Sequence, residues 1–169
     1  MMTSWQRWSA TDVGNRRALN EDALVLRDAD GFWAVIDGLG GADVGNVASA
    51  ALQHALEHLQ LDPELPQAVD QIEDILLAVH DQLREFSGSR LPARLIGCTM
   101  ALLRVTDTWS LLALDMVLGE CRELAAPRLA HWLAREPAVA QRELMAEALA
   151  SGGNDNISLI LVDIEGAHD

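Results

Sequence analysis

The stretch that decides the fold is "NEDALVLRDADGFWAVIDGLGG", residues 20–41, in which two apolar runs are bounded by acidic residues. The runs 22–28 and 32–37 are short and are joined by "DADG", which predicts two strands connected by a turn. The second run is apolar on both of its faces before Asp37, which favours a central strand. Carboxylates therefore lie at the start of one predicted strand and at the end of the next.

The rest of the chain groups its predicted strands apart from its helices. Apolar residues at helical spacing predict helices over 42–59, 67–86, 125–134 and 138–150. Apolar runs predict further strands over 97–105, 109–117 and 157–164. This order favours an α+β fold, a mainly antiparallel two-sheet β-sandwich flanked by helices and curtailed in its second half.

The predicted layers place each group of helices on its own sheet. We expect the helices over 42–59 and 67–86 to pack on one sheet and those over 125–150 to cover the other. The short middle of the chain should leave the second sheet short of strands, with an apolar edge around 109–117. An unprotected edge of this kind favours self-association.

Length and charge limit the class of protein. The chain has 169 residues, which fits one domain over 1–169. Its net charge of -14 argues against nucleic acid and anionic membrane as partners. The two cysteines form no disulfide framework, and no signal peptide core or apolar stretch of ~18 residues is present. These features predict a reduced, cytoplasmic setting.

The acidic residues at strand ends predict a cation site. Glu21, Asp22, Asp37 and Asp155 all fall at strand ends or in turns. Two carboxylates about 4 Å apart repel by about 4 kcal/mol at an effective dielectric near 20, so a cluster needs a shared proton or a divalent cation. Oxygen ligands without histidine or cysteine favour Mg²⁺ or Mn²⁺. Gly38, which has no side chain, is expected to let a metal or a phosphate approach the backbone.

Each acidic motif alone is typical of a turn or a helix cap, and the signal lies in their combination. "RALNEDA", "AVIDGLGGADVGNVAS" and "GGNDNISLILVDI" occur in this order, and "LIGCTMALL" lies between the second and the third. Together they resemble the motifs of the metal-dependent protein serine/threonine phosphatases, the PPM or type-2C family. The resemblance covers about residues 4–105 and, more loosely, 109–163.

The resemblance implies a role for each matching residue. Asp37 would bridge two Mn²⁺ or Mg²⁺ ions, with the Gly38 carbonyl and Glu21, partly through water, completing the nearby contacts. Asp155 would hold one of the two ions. Arg17 would bind the substrate phosphate through its planar guanidinium. A pair of metal ions would activate a water molecule for attack on phosphorus.

Two neighbouring residues complete the implied site. Asp22 would orient the groups around the metal ligands. Arg16 competes with Arg17 for the phosphate role, and a surface arginine without a role is the alternative for either one.

The middle of the chain departs from the family pattern. Between Val105 and Leu124 there is no Gly-Asp-Ser-Arg turn, no flap and no Ser-Asp-Gly, and only nineteen residues occupy 106–124. Asp115, which ends the apolar run "WSLLAL", is the candidate for the missing Ser-Asp-Gly ligand. An ordinary acid at the end of a strand is the alternative.

Two functions follow from the resemblance and its departures. One is a shortened phosphatase that removes phosphate from serine or threonine of proteins and opposes a serine/threonine kinase in signalling. The other is a catalytically weak or inactive relative that binds a phosphoprotein without turnover. An internally deleted form of a longer phosphatase is a third interpretation.

Overall fold

The computed structural model describes residues 4–40, 44–89, 95–108, 110–115 and 135–165. Within these ranges the strands are β1 (Ser4–Asp12), β2 (Asp22–Arg27), β3 (Phe32–Leu39), β4 (Gly97–Val105), β5 (Ser110–Asp115) and β6 (Ile157–Glu165). The helices are α1 (Gly45–His58), α2 (Leu65–Gly88) and α3 (Pro137–Ala150), and a 3₁₀ turn lies at Asp28–Asp30.

The strands form two antiparallel sheets. One sheet has the order β2-β3-β4-β5, and in the other β1 pairs with β6. The helix α1 packs on β2, β3 and β4, α2 packs on α1, and α3 packs on β1 and β6. The α+β class and the sandwich of two sheets with helices outside are therefore confirmed.

Most of the sequence-predicted elements agree with the structure within a few residues. The hairpin of β2 and β3 forms where the acid-bounded runs predict it, with Arg27 opposite Phe32 beside the turn. The helices α1, α2 and α3 match the helical periodicity. The helix predicted over 125–134 lies outside the described residues.

The alternation of β3 separates the helix core from the interior of the sandwich. Phe32, Ala34 and Ile36 are buried against α1 and α2, in one cluster with residues such as Leu52 and Leu56. The intervening residues of β3 belong to the opposite face of the sheet, which turns towards β1 and β6. Asp37 lies on this second face.

A pair of tryptophans joins the two sheets. Trp33 of β3 is buried, and its ring meets that of Trp5 of β1 edge-to-face at 5.7 Å between centroids. The Asp28 carboxylate accepts a hydrogen bond from Trp33 Nε1 at 2.7 Å, and the Asp28 backbone carbonyl accepts one from Trp5 Nε1 at 2.8 Å. The strand β1 was missing from the sequence-based prediction, because "SWQRWSATD" mixes polar, charged and aromatic residues without an apolar run.

One topological expectation is wrong. The segment predicted as an apolar edge of the second sheet forms β5, which pairs with β4 in the four-stranded sheet. Among the described strands, β5 ends that sheet, so self-association through this edge stays a prediction. Within the described parts of the chain, no helix is both long and apolar enough to cross a membrane.

Candidate functional site

Two carboxylates are cross-strand partners at the open end of the hairpin. Asp22, the first residue of β2, pairs with Asp37 of β3. Burial is the main cause that raises the pKa of Asp22, to about 6, and the charges of Asp37 and Asp155 add to this shift. Burial and the Asp155 charge also raise the pKa of Asp37, while Arg17 opposes the change. The hairpin thus holds two acids whose simultaneous ionisation is costly, and a nearby positive charge would lower that cost.

The second sheet supplies a hydrogen-bond chain to Asp22. Ser158 of β6 donates its hydroxyl proton to Asp22 Oδ2 at 2.6 Å. Thr11 of β1 shares a hydrogen bond with Ser158, 2.8 Å between the hydroxyl oxygens, and accepts one from Asn20 Nδ2 at 2.7 Å. Asn20 Oδ1 accepts a hydrogen bond from the Asp22 backbone N–H at 3.1 Å. The packing of one sheet on the other therefore fixes the orientation of Asp22.

Glu21 is buried beside the start of α1. It is 6% exposed, and its Oε1 atom is buried and has no hydrogen-bond partner among the described residues. A Cβ atom at Gly45 would lie 2.6 Å from the Glu21 carboxyl carbon, so glycine makes the room for this side chain. An unpartnered buried carboxylate oxygen is costly, and a cation is a natural partner for it.

Gly38 is required for a reason that differs from the prediction. A Cβ atom there would lie 2.7 Å from the Glu21 carbonyl oxygen, and closer still to the carbonyl oxygen of Gly45. The Gly38 N–H donates to that Glu21 carbonyl at 3.2 Å. The missing side chain of Gly38 thus makes room for the chain's own backbone.

Asn156 is a positioning residue that sequence reasoning missed. Its Oδ1 accepts the Glu21 backbone N–H at 2.8 Å, and its Nδ2 donates to the carbonyls of Val13 and Leu19 at 2.9 and 3.0 Å. One amide thereby joins the loop before β2 to the turn before β6. The only signal in the sequence is the side chain itself, because an asparagine next to Asp155 offers both donors and an acceptor.

Arg17 and Asp155 form an ion pair on the solvent-exposed side of the site. Arg17 Nη2 lies 2.7 Å from Asp155 Oδ2, and Arg17 Nη1 lies 3.9 Å from Glu21 Oε2. Both side chains of the 2.7 Å pair are exposed, Arg17 by 43% and Asp155 by 62%. The second Asp155 oxygen, Oδ1, accepts the Asn156 N–H at 2.9 Å. Arg16 is exposed and forms no ion pair with any residue that the structure describes.

The turn that contains Asp155 packs against Gly14 so closely that a side chain at this position would collide with it. The φ of Gly14 is +78°, and a Cβ atom there would lie 2.9 Å from the Gly153 carbonyl and closer still to that of Asp155. The neighbouring Asn15 donates its N–H to that Gly153 carbonyl at 2.8 Å. These contacts place Asp155 beside the loop that holds Arg17.

The chemical type of the candidate ligand atoms suits a divalent cation. Glu21, Asp22, Asp37 and Asp155 supply only oxygen, and Arg17 is the one cation paired with them among the described residues. The unpartnered Glu21 oxygen and the raised pKa values of the two aspartates are the marks of a site short of positive charge. Within the described ranges, however, no three His, Cys, Asp or Glu side chains come together closely enough to hold a metal.

Asp115 can be placed by its backbone alone. The last residue of β5, it pairs with Met100, which in turn pairs with Ile36. Asp37 occupies the neighbouring row, between Asp22 and Thr99. Asp115 therefore ends its strand in the row of Met100 and Ile36, which belongs to the helix-facing side of the sheet, whereas Asp37 belongs to the neighbouring row on the other side. Its role as a ligand stays a prediction.

Comparison with known proteins gives a clear answer for the fold. No protein-family model and no curated protein sequence matches the chain. The chain is similar to the structure of PppA, a key regulatory component of T6SS in Pseudomonas aeruginosa, at 20% identity and a TM-score of 0.80, covering 96% of this chain and 98% of that chain.

Two further bacterial structures are similar at lower identity. The catalytic domain of the serine/threonine phosphatase PstP, in complex with two manganese ions, has 16% identity and a TM-score of 0.75, with 96% and 99% of the two chains covered. Stp1, a serine/threonine phosphatase from Staphylococcus aureus, has 17% identity and a TM-score of 0.74, with 95% of each chain covered. The chain therefore has the fold of the bacterial PPM-type, or type-2C, serine/threonine phosphatases.

Proposed function

We propose that the chain is a metal-dependent phosphatase that hydrolyses phosphoserine and phosphothreonine in proteins. The observation that carries the proposal is that Arg17 pairs with Glu21 and Asp155, while Asp22 lies opposite Asp37 at the open end of the β2–β3 hairpin. The likeness to serine/threonine phosphatases, one of them in complex with two manganese ions, supports it.

The residues that would hold Mn²⁺ or Mg²⁺ are Asp37, the Gly38 carbonyl, Glu21 and Asp155, with Asp115 as a further ligand. When bound, divalent ions there would activate water and neutralise charge that develops on the phosphoryl group. Cross-strand pairing holds Asp37 in place, and the Gly45 backbone confines the Glu21 carboxylate. These contacts restrict where the Asp37 backbone and the Glu21 carboxylate can lie.

Arg17 would bind the substrate phosphate. Its guanidinium lies at the exposed rim of the site and presents several N–H donors in one plane, which suits two phosphate oxygens at once. Asp22 would help to orient the site, because Ser158 and Asn20 fix both its side chain and its backbone. The net charge of -14 argues against a nucleic acid as the substrate. A phosphoprotein substrate would imply a serine/threonine kinase as the opposing enzyme.

A phosphoprotein-binding module without turnover is the second candidate. The missing central motifs and the absence of an assembled three-ligand cluster among the described side chains favour it. The similar protein PppA is itself described as a regulatory component.

Release of p-nitrophenol from p-nitrophenyl phosphate, with Mn²⁺ or with EDTA, separates the two candidates. The phosphatase proposal expects turnover with Mn²⁺ that EDTA abolishes, and the same loss in Asp37→Asn. Binding of a phosphopeptide without any turnover in saturating Mn²⁺ would support the module instead.

A further inference from the structure

We propose that Arg17 and a divalent cation compete for Asp155, so that cation binding releases the Arg17 guanidinium for phosphate. The inference rests on the proposed function in one respect, since it takes Asp155 to be a cation ligand. It adds an order of events, in which the Arg17–Asp155 ion pair must open before the site is complete.

The two oxygens of Asp155 are not equivalent. Oδ1 accepts the backbone N–H of Asn156 at 2.9 Å, and Asn156 is itself held by Glu21, Val13 and Leu19. Oδ2 has Arg17 Nη2 at 2.7 Å, and both of those side chains are exposed. Exposed ion pairs contribute little stability, so the bond from Arg17 is the one that exchanges readily. A cation that reaches Asp155 from the side of Oδ2 therefore meets the guanidinium.

A second carboxylate, that of Glu21, also lies near the Arg17 guanidinium. Arg17 Nη1 lies 3.9 Å from Glu21 Oε2, while Glu21 Oε1 is buried and has no hydrogen-bond partner among the described residues. The guanidinium thus lies against two acids that a cation would use and serves as their counter-ion. Because like charges repel, cation and guanidinium weaken each other at this position.

Release of Arg17 has a consequence for phosphate. While Nη2 donates to Asp155, the guanidinium cannot direct that N–H group towards a phosphate oxygen. A cation on Asp155 removes this competitor, so the phosphate-binding form of Arg17 follows cation binding. Because these binding equilibria are linked, a change that weakens the Arg17–Asp155 ion pair strengthens the binding of the cation to Asp155 and of phosphate to Arg17.

The first test is calorimetry of Mn²⁺ binding to the full chain without substrate. Arg17→Gln is compared with Arg16→Gln, which removes the same charge from the adjacent exposed residue. We expect Arg17→Gln to tighten Mn²⁺ binding at least fivefold and Arg16→Gln to change it less than twofold. Equal affinity in the parent and in Arg17→Gln, or no Mn²⁺ binding by either, would overturn the proposal.

The second test uses inorganic phosphate in EDTA, so that no cation takes part. Asp155→Asn frees Arg17 and should raise phosphate affinity severalfold, while the double variant Asp155→Asn/Arg17→Gln should bind no better than Arg17→Gln. An equal gain in the double variant would show a general charge effect and contradict a specific release of Arg17. Neither readout requires turnover, so loss of the phosphatase proposal would leave both results interpretable.

Discussion

Asp22 and Asp37 are direct cross-strand partners, and Ser158 of the other sheet donates a 2.6 Å hydrogen bond to Asp22. Like charges directly opposite each other destabilise an antiparallel pair. Burial is the main cause that raises the pKa of Asp22, and the charges of Asp37 and Asp155 add to it, whereas the hydrogen bond from Ser158 lowers that pKa and so offsets part of the repulsion. The site therefore carries an electrostatic cost that a cation could relieve.

The first prediction concerns the pH dependence of stability. Because the pKa of Asp22 rises from 3.8 to about 6, the folded chain holds this proton more tightly than the unfolded chain. The associated stability is complete at low pH and is lost as pH rises through about 6. Asp22→Asn should thus stabilise the metal-free chain at pH 7.5 by about 1–2 kcal/mol after allowance for solvent screening.

Thermal unfolding in EDTA at pH 4 and pH 7.5 measures this effect. The melting temperature of Asp22→Asn should exceed that of the parent by about 2–6 °C at the higher pH and match it at the lower. An identical difference at both pH values would show that charge is not its cause.

The second prediction concerns the link between the sheets. Ser158→Ala removes the hydroxyl that donates to Asp22 and bonds to Thr11. Hydrogen bonds to charged groups are worth about 1.5–3 kcal/mol, and partial exposure places the expected loss near the lower end. Urea unfolding of Ser158→Ala and Ser4→Ala measures it, because the Ser4 hydroxyl of β1 makes an exposed 3.3 Å hydrogen bond to Glu165 and no other with the residues that the structure describes. Equal losses in the two variants would contradict a special role for Ser158.

The third prediction concerns the pocket of Glu21. A Cβ atom in Gly45→Ala would collide with the Glu21 carboxylate, whereas Gly88→Ala adds a Cβ atom that meets nothing within 4 Å. We expect Gly45→Ala to destabilise the chain by about 2 kcal/mol or more through overpacking. Gly88→Ala should be neutral or slightly stabilising, within about 1 kcal/mol. Chemical unfolding of both variants tests this, and a neutral Gly45→Ala would mean that Glu21 lies elsewhere.

The fourth prediction concerns Asp115. If Asp115 supplies the ligand that the family takes from Ser-Asp-Gly, Asp115→Asn should lower turnover of a phosphopeptide about as much as Asp37→Asn. Asp163→Asn, on β6 and far along the strand from the site, is the matched control and should keep near-parental activity. Parental activity in Asp115→Asn would make Asp115 an ordinary acid at a strand end.

Local patterns in the sequence were enough to predict the β2–β3 hairpin, because its two apolar runs and its turn are contiguous. They also placed carboxylates at the start of one strand and at the end of the next, which are the positions that a hairpin brings together. Helical periodicity placed α1, α2 and α3 for the same reason. These features depend on neighbours along the chain.

The remaining features depend on contacts between distant segments. The strand β1 is defined by pairing with β6, more than a hundred residues away, and its own residues show no clear alternation. The bonds of Ser158 to Asp22 and of Asn156 to Glu21 exist only once the two sheets pack. The space beside Gly38 is filled by Gly45, which the motif could not indicate.

The proposed function is tested most directly by phosphate release from a phosphothreonine peptide by the parent chain and by Asp37→Asn, each in saturating Mn²⁺ and in EDTA. We expect turnover only for the parent in Mn²⁺, with Asp37→Asn lowered at least a hundredfold and still folded. No release by the folded parent in Mn²⁺, or equal release by Asp37→Asn, would contradict a metal-dependent phosphatase.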